Sequence, residues 1–468
     1  MKKVIPCAAL AALLAGGSAA AQHEHHAPPP TPTPAPSAPP HEHHLPPATP
    51  TATPGYPEHE ATKAMETADR NLFQSDMTLM TGMTPHVPMA GMPSSRWKVM
   101  FLGIARLSYN DQGGPSGADA LESSNWSMIH AGRGFGRGRL SLMLMNSLEP
   151  WTFEKRGSPE LFQTGESYRG VPLVDRQHPH DLFMNLSATW RAPIGADSAW
   201  WVQLAPVGEP VIGPTAFMHR ASAGENPTAP LGHHWQDSTH IAFNVVTAGA
   251  GWKGIAVEGS AFHGAEPDAD RTDIEGGRID SAAARVKLGF GNGWSAQISH
   301  AFLNEPEALA PGDTRRTTAS AHYGADGDRP VAATLLWGRN DEEHGTSDSW
   351  LLEGAWQVTR SDHVYGRLEW VQKDRHLLEF KGAEVHPAIS LPDFAEITAL
   401  TVGYLREFVS RPALRIGAGA DVTGYRFPSG LENVYGESPV SWHLFLRVRW
   451  GTPHGAHSAS PHGGHGSP

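Results

Sequence analysis

Met77, Met80, Met83, His86, Met89 and Met92 recur at every third position. Three residues per turn is the period of polyproline II, so an extended chain sets these thioethers and the imidazole along one edge. Thioether sulfur is a soft ligand suited to Cu(I), and imidazole also accepts Cu(II) or zinc. His23, His25, His26, His41, His43 and His44 lie upstream, and His454, His457, His462 and His465 lie near the other end. The register reads as a segment that captures soft metal ions, with copper as the expected ion. The plainer reading is that Met fills a groove and His-rich tails are solvated linker.

A second set falls in the connections between strand-like segments. Asp175, Arg176, Gln177, His178, Pro179, His180 and Asp181 come first. His219 and Arg220 follow, then His233, His234, Asp237 and His240, then His263, Glu266, Asp268 and Asp270. Imidazole with carboxylate is metal-ligand chemistry, in which the acids either bind the ion or orient the rings. The candidate ligands here are His178, His180, Asp181, His219, His233, His234, Asp237 and His240. The competing reading is a hydrogen-bonded network that locks two long loops over a pore.

Residues so far apart in sequence need a scaffold, and the period-2 pattern supplies one. Trp442, Leu444, Leu446, Val448 and Trp450 alternate with His443, Arg447 and Arg449. An apolar row of membrane-crossing length, with Trp at both tips, predicts a strand whose greasy face meets lipid. Similar runs fall at 97–109, 124–133, 137–149, 180–192, 199–208, 240–252, 254–264, 281–290, 294–303, 315–324, 331–340, 349–360, 363–373, 396–409, 413–425 and 440–450. Several alternate cleanly, and others, such as 396–409, are ambiguous in their facing. Connections between them alternate short and long, as periplasmic turns and extracellular loops do in outer-membrane barrels. The inward faces carry both signs of charge: Arg285, Lys287, Glu353, Arg367, Glu369, Arg415, Asp421, Arg447 and Arg449. Such charges either constrict a pore or fill a closed lumen with salt bridges.

The remaining composition agrees. Lys2, Lys3, an apolar run to Leu14 and the small residues Ala19, Ala20 and Ala21 form a secretory signal cleaved after Ala21. The only cysteine, Cys7, lies inside it, which excludes disulfides and thiolate metal sites from the mature chain. Residues 22–58 are dominated by Pro, Ala, Thr and His and cannot bury a core. A net charge of −12 excludes a nucleic-acid partner. Ser238 beside His240 is too local for a nucleophile and base pair, no nucleophile elbow occurs, and 132–138 joins two strands rather than opening a phosphate-binding helix. No enzyme activity is expected.

The runs VPLVDRQHPHDLF (171–183), GPTAFMHRAS (213–222), ENPTAPLGHHWQDSTH (225–240) and FHGAEPDADR (262–271) resemble an uncharacterised family of bacterial outer-membrane proteins associated with heavy-metal resistance. The Met/His leader is similar in style to the copper-resistance outer-membrane protein B family. These resemblances imply a barrel in a metal context.

The expectation is an all-β, transmembrane antiparallel up-and-down barrel of about sixteen strands in the bacterial outer membrane, both termini periplasmic. Residues 1–21 are the signal, 22–96 a disordered His/Pro/Met-rich leader, 97–450 the barrel and 451–468 a His-rich tail. Its expected partners are metal ions, copper first, outer-membrane lipid and periplasmic metal-resistance proteins. It would capture ions in the leader and support their export or sequestration through a constricted lumen. The alternatives are a metal-independent porin for small polar solutes and an outer-membrane hydrolase.

Overall fold

The computed structural model describes residues 96–451, apart from 196–197, 238–241, 309–311, 326–328, 344, 379, 382–383, 386–391 and 412. Sixteen antiparallel strands close into a barrel. They are β1 (Lys98–Gln112), β2 (Asp119–Phe135), β3 (Gly138–Asn146), β6 (Phe183–Gly195), β7 (Ser198–Gly208), β8 (Ala242–Trp252), β9 (Ile255–His263), β10 (Ser281–Gly291), β11 (Trp294–Leu303), β12 (Thr314–Ala325), β13 (Val331–Glu342), β14 (Gly345–Gln357), β15 (Asp362–Asp374), β18 (Phe394–Arg411), β19 (Leu414–Arg426) and β20 (Val440–Gly451). β20 pairs with β1 from Leu102↔Gly451 to Gln112↔Ser441 and shuts the cylinder.

Alternation decides which way each side chain points. Val99, Phe101, Leu107 and Tyr109 on β1, Trp350, Leu352 and Trp356 on β14, and Leu444 and Leu446 on β20 are exposed on the outer wall. A ring of large apolar side chains this extensive is a surface for lipid. The alternate positions, among them Arg447, Glu353, Arg367 and Asp421, face inward and are buried.

One end has tight turns. Lys253–Gly254 and Asn292–Gly293 have positive φ at both positions, the geometry of the two-residue turns that match strand twist. The other end has the long connections, and two of these fold further. Residues 147–182 contain a two-stranded ribbon, β4 (Ser158–Tyr168) and β5 (Val171–Gln177). Residues 375–393 contain a second, β16 (Phe380–Lys381) and β17 (Glu384–Val385).

Element bounds differ in places from the sequence reading. The strand expected at 180–192 begins at Phe183, because the Leu182 amide donates to Arg271 O at 2.8 Å while Leu182 O accepts from Ser147. The strand expected at 137–149 stops at Asn146, where Pro150 opens a one-turn helix, Glu149–Thr152. Both faces of β18 are apolar, which is why alternation alone leaves the facing at 396–409 ambiguous. Ala395, Ile397 and Ala399 point inward yet pack in a core with Leu161 and Phe162 of the ribbon and Leu431 and Tyr435 of the last long connection. The signal, the leader to residue 95 and residues 452–468 lie outside the described residues.

Candidate metal centre and the inserted loop

The connection after β7 turns back into the barrel. Its backbone and side chains bond inward-facing groups all around the wall. Val211 N donates to Ser260 Oγ on β9, Arg285 on β10 donates to Gly213 O, and Gly213 N donates to Ser299 Oγ on β11. Arg316 on β12 donates to Asp237 O, Ser222 Oγ lies 2.8 Å from Thr334 Oγ1 on β13, and Arg220 Nε reaches Glu353 Oε1 on β14 at 2.8 Å. Arg367 on β15 donates to Thr228 O, Arg447 on β20 clamps Glu225, and Arg106 on β1 donates to Gly224 O. Residues 209–237 thus fill much of the lumen. The mixed inward charges are consumed in pairs: Arg367 and Arg220 share Glu353, Arg285 and Lys287 share Glu258, and His443 lies 2.7 Å from Asp421.

The tip of this loop is an electrostatic knot. Glu225 meets Arg447, Arg449 at 3.5 Å and His363 at 3.7 Å, while Arg447 also binds Glu407. Burial alone would raise the Glu225 carboxyl, but Arg447, Arg449, His363 and Arg106 hold it well below the usual carboxylate range.

The base of the loop is different. Gly232 leads into a one-turn helix, His233–Gln236, which presents two adjacent imidazoles. His178, just beyond the ribbon, meets them. The ligand atoms of His178, His233 and His234 all lie within 4.8 Å of one another, and all three residues are buried. A tetrahedral ion bound at about 2.0–2.1 Å holds its nitrogens about 3.4 Å apart, so small ring rotations close the set on an ion. His234 also groups with Glu266 and Glu307, and Glu166 Oε1 lies 3.4 Å from His178 Nδ1. Three imidazoles flanked by carboxylates can hold a divalent borderline metal with a position to spare.

Local sequence explains the convergence. Gly165 has φ of +114°, and a Cβ there would lie 2.4 Å from His234 Cε1, so only glycine lets the ribbon approach that ring. The next residue, Glu166, is also left-handed at φ 57° and turns its carboxylate toward His178 and Arg271.

The other candidates go elsewhere. Asp181 pairs with Arg271 at 3.1 Å, and burial pushes its carboxyl up to about 7 against the pull of that guanidinium. Asp237 pairs with Arg220 at 3.0 Å. His180 Nδ1 is 2.6 Å from Glu149 Oε2. His219 packs edge-on against Trp126, ring centroids 4.6 Å apart, and burial lowers it to about 3, with His180 adding to the shift. His263 lies beside Asp280, and Asp268 groups with Asp273 and Glu275 on the surface. His240 and the whole Met/His set from His23 to Met92 lie outside the described residues. Sequence reasoning missed Glu166, Glu307 and the role of Glu225. The clue for Glu166 was Gly165 preceding it inside a connection too long to be a plain loop.

No family model and no curated protein matches the chain. Solved structures with similar backbones include an anion-selective porin from Comamonas acidovorans, at 12% identity, TM-score 0.47, with 76% of this chain and 100% of that one covered. OprB of Pseudomonas putida is similar at 9% identity and TM-score 0.48, covering 76% and 94%. The outer membrane channel DcaP of Acinetobacter baumannii is similar at 9% identity and TM-score 0.45, covering 77% and 99%. The likeness is one of backbone course alone.

Proposed function

We propose that this is a barrel of the bacterial outer membrane, with both termini in the periplasm, that handles transition-metal ions through a lumen narrowed by residues 209–237. The observation that carries this reading is the meeting of His178, His233 and His234, from two long connections, with all ligand atoms within 4.8 Å. The Met/His leader is the capture segment, and the heavy-metal family that the 171–271 motifs resemble supplies the same context. Copper is the ion the leader favours, and the imidazole set accepts Cu(II) or Zn(II).

The test is metal content. Metal-free full-length mature protein is titrated with Zn(II) and with Cu(II), beside a His178→Ala/His233→Ala/His234→Ala variant. The expected difference is one ion per chain, with nitrogen-dominated X-ray absorption. Equal stoichiometry in the two proteins would sink the reading.

A porin for small polar solutes is the second reading. A small polar cleft lies between the loop and the wall, lined by Arg106, Glu122, Trp126, Glu149, His180 and His443 among others. Swelling of liposomes in small sugars would favour it, and sealed liposomes would count against it.

A further inference from the structure

The described residues contain six methionines: Met100, Met128, Met143, Met145, Met184 and Met218. They come from β1, β2, β3, β6 and the inserted loop, yet all six belong to one cluster on the inner wall. None stands on the lipid face, where apolar side chains would be expected first. We infer that this wall holds a site for a soft monovalent cation, Cu(I) or Ag(I), centred on Met100, His130 and Met143.

The register carries the argument. Met100 on β1 pairs with His130 on β2, and His130 pairs with Met143 on β3. The three side chains stand side by side across adjacent strands, pointing inward. Their flanking residues Val99, Phe101, Ile129 and Leu142 are exposed on the outer wall. Directly paired residues have Cβ atoms about 4.5–5.5 Å apart, within reach of one shared ion for long thioether side chains. Sulfur, nitrogen and sulfur in a row is a three-coordinate set that suits a soft monovalent metal.

The row is near the short-turn mouth, where the chain enters β1 at Lys98. Two residues further along each strand, Leu102, Met128 and Met145 are paired in the same way. That step is about 6.7 Å at the usual strand rise. Met184 and then Met218, on the 3-10 turn Phe217–His219 of the inserted loop, continue the cluster inward. Thioethers therefore extend from the mouth to the loop, where the barrel wall elsewhere offers Ser295, Gln297, Ser299 and Thr318.

The bland account is that methionine fills an irregular gap. It explains the packing of Met128 and Met145, but not a histidine between two methionines at the level nearest the mouth. Arg139 lays its guanidinium across Gly132, one step toward the rim from His130. Coulomb repulsion from that charge is twice as large for a divalent as for a monovalent ion, so the neighbour discriminates in favour of the latter. This site shares no residue with the imidazole triad and does not rest on it.

The experiment uses the full mature chain in detergent and Ag(I), which is stable to air. Mild peroxide oxidises accessible methionines, and peptide mass spectrometry reads each one separately. Saturating Ag(I) is expected to slow oxidation of Met100 and Met143, in addition to any effect on residues 77–92. His130→Gln should weaken that protection at least about tenfold, since ligand loss costs no less than loss of a partner outside the coordination shell. Unchanged oxidation of Met100 and Met143 in the wild-type protein would overturn the site, as would full protection in the His130→Gln variant. Zn(II) stoichiometry at the triad is read separately, so either site can fail alone.

Discussion

The inserted loop has two ends that are held by opposite kinds of chemistry. At its tip, Glu225 lies among the guanidinium groups of Arg447, Arg449 and Arg106, in contacts built from fixed ion pairs. At its base, His233 and His234 meet His178, three imidazoles that would close on a metal ion in the proposed reading. The tip is an anchor of ion pairs, and the base, on the proposed reading, is where an ion would act. A loop pinned in this way can respond to an ion at one end while the other holds it inside the barrel.

The largest effect should follow from breaking the anchor. Arg447→Ala leaves Glu225 and Glu407 buried with a lost partner, which costs about 3–5 kcal/mol for a pair of this kind. The expected outcome is a lower unfolding temperature and a larger single-channel conductance as the tip leaves the wall. Unchanged conductance and melting would show that the tip is not what holds the loop.

At the base, metal should matter where it does not at the tip. Zn(II) at a hundredfold excess over its dissociation constant should stabilise the folded barrel by about 2.7 kcal/mol. The shift in thermal unfolding should vanish in His233→Ala/His234→Ala and persist in Arg449→Lys. Equal shifts in both variants would erase the distinction between the two ends.

Gly165→Ala probes the contact that seats the second imidazole. A left-handed non-glycine residue costs about 1–3 kcal/mol, and the new Cβ also collides with the His234 ring. Zinc affinity should fall while the conductance set by the tip stays the same.

The most gradual effect is a pH slope. The Asp181 carboxyl is raised by burial to about 7, so the folded form holds a proton that the unfolded chain has lost. The stability this contributes is complete below about pH 4 and is lost as pH rises through about 7. Asp181→Asn should flatten that slope, measured as amide exchange in residues 178–183.

The barrel was legible because its outer face obeys one solvent. Every expected strand has a counterpart, and Trp442 to Trp450 alternate as lipid on one side demands. Legibility failed where the lumen stops being watery. β18 looked ambiguous since Ile397 and Ala399 face Phe162 rather than solvent, and the β4–β5 ribbon that creates this second core carries no lipid-facing pattern. Of the site, the residue types in 171–240 could be picked out, but not their division. Whether a buried acid serves a ring or a guanidinium depends on partners such as Arg271, 90 residues from Asp181, and Arg447, 222 residues from Glu225.

The carbonyl of Gly224 accepts hydrogen bonds from Arg106 on β1 and from Arg449 on β20. Those strands are the first and last of the cylinder, so one peptide group spans its seam from within. A barrel assembled by zipping its two terminal strands together has a moment when that seam stands open. Parting β1 from β20 would therefore also break one of these two hydrogen bonds, so the loop adds an internal tie to the strand pairing at the seam.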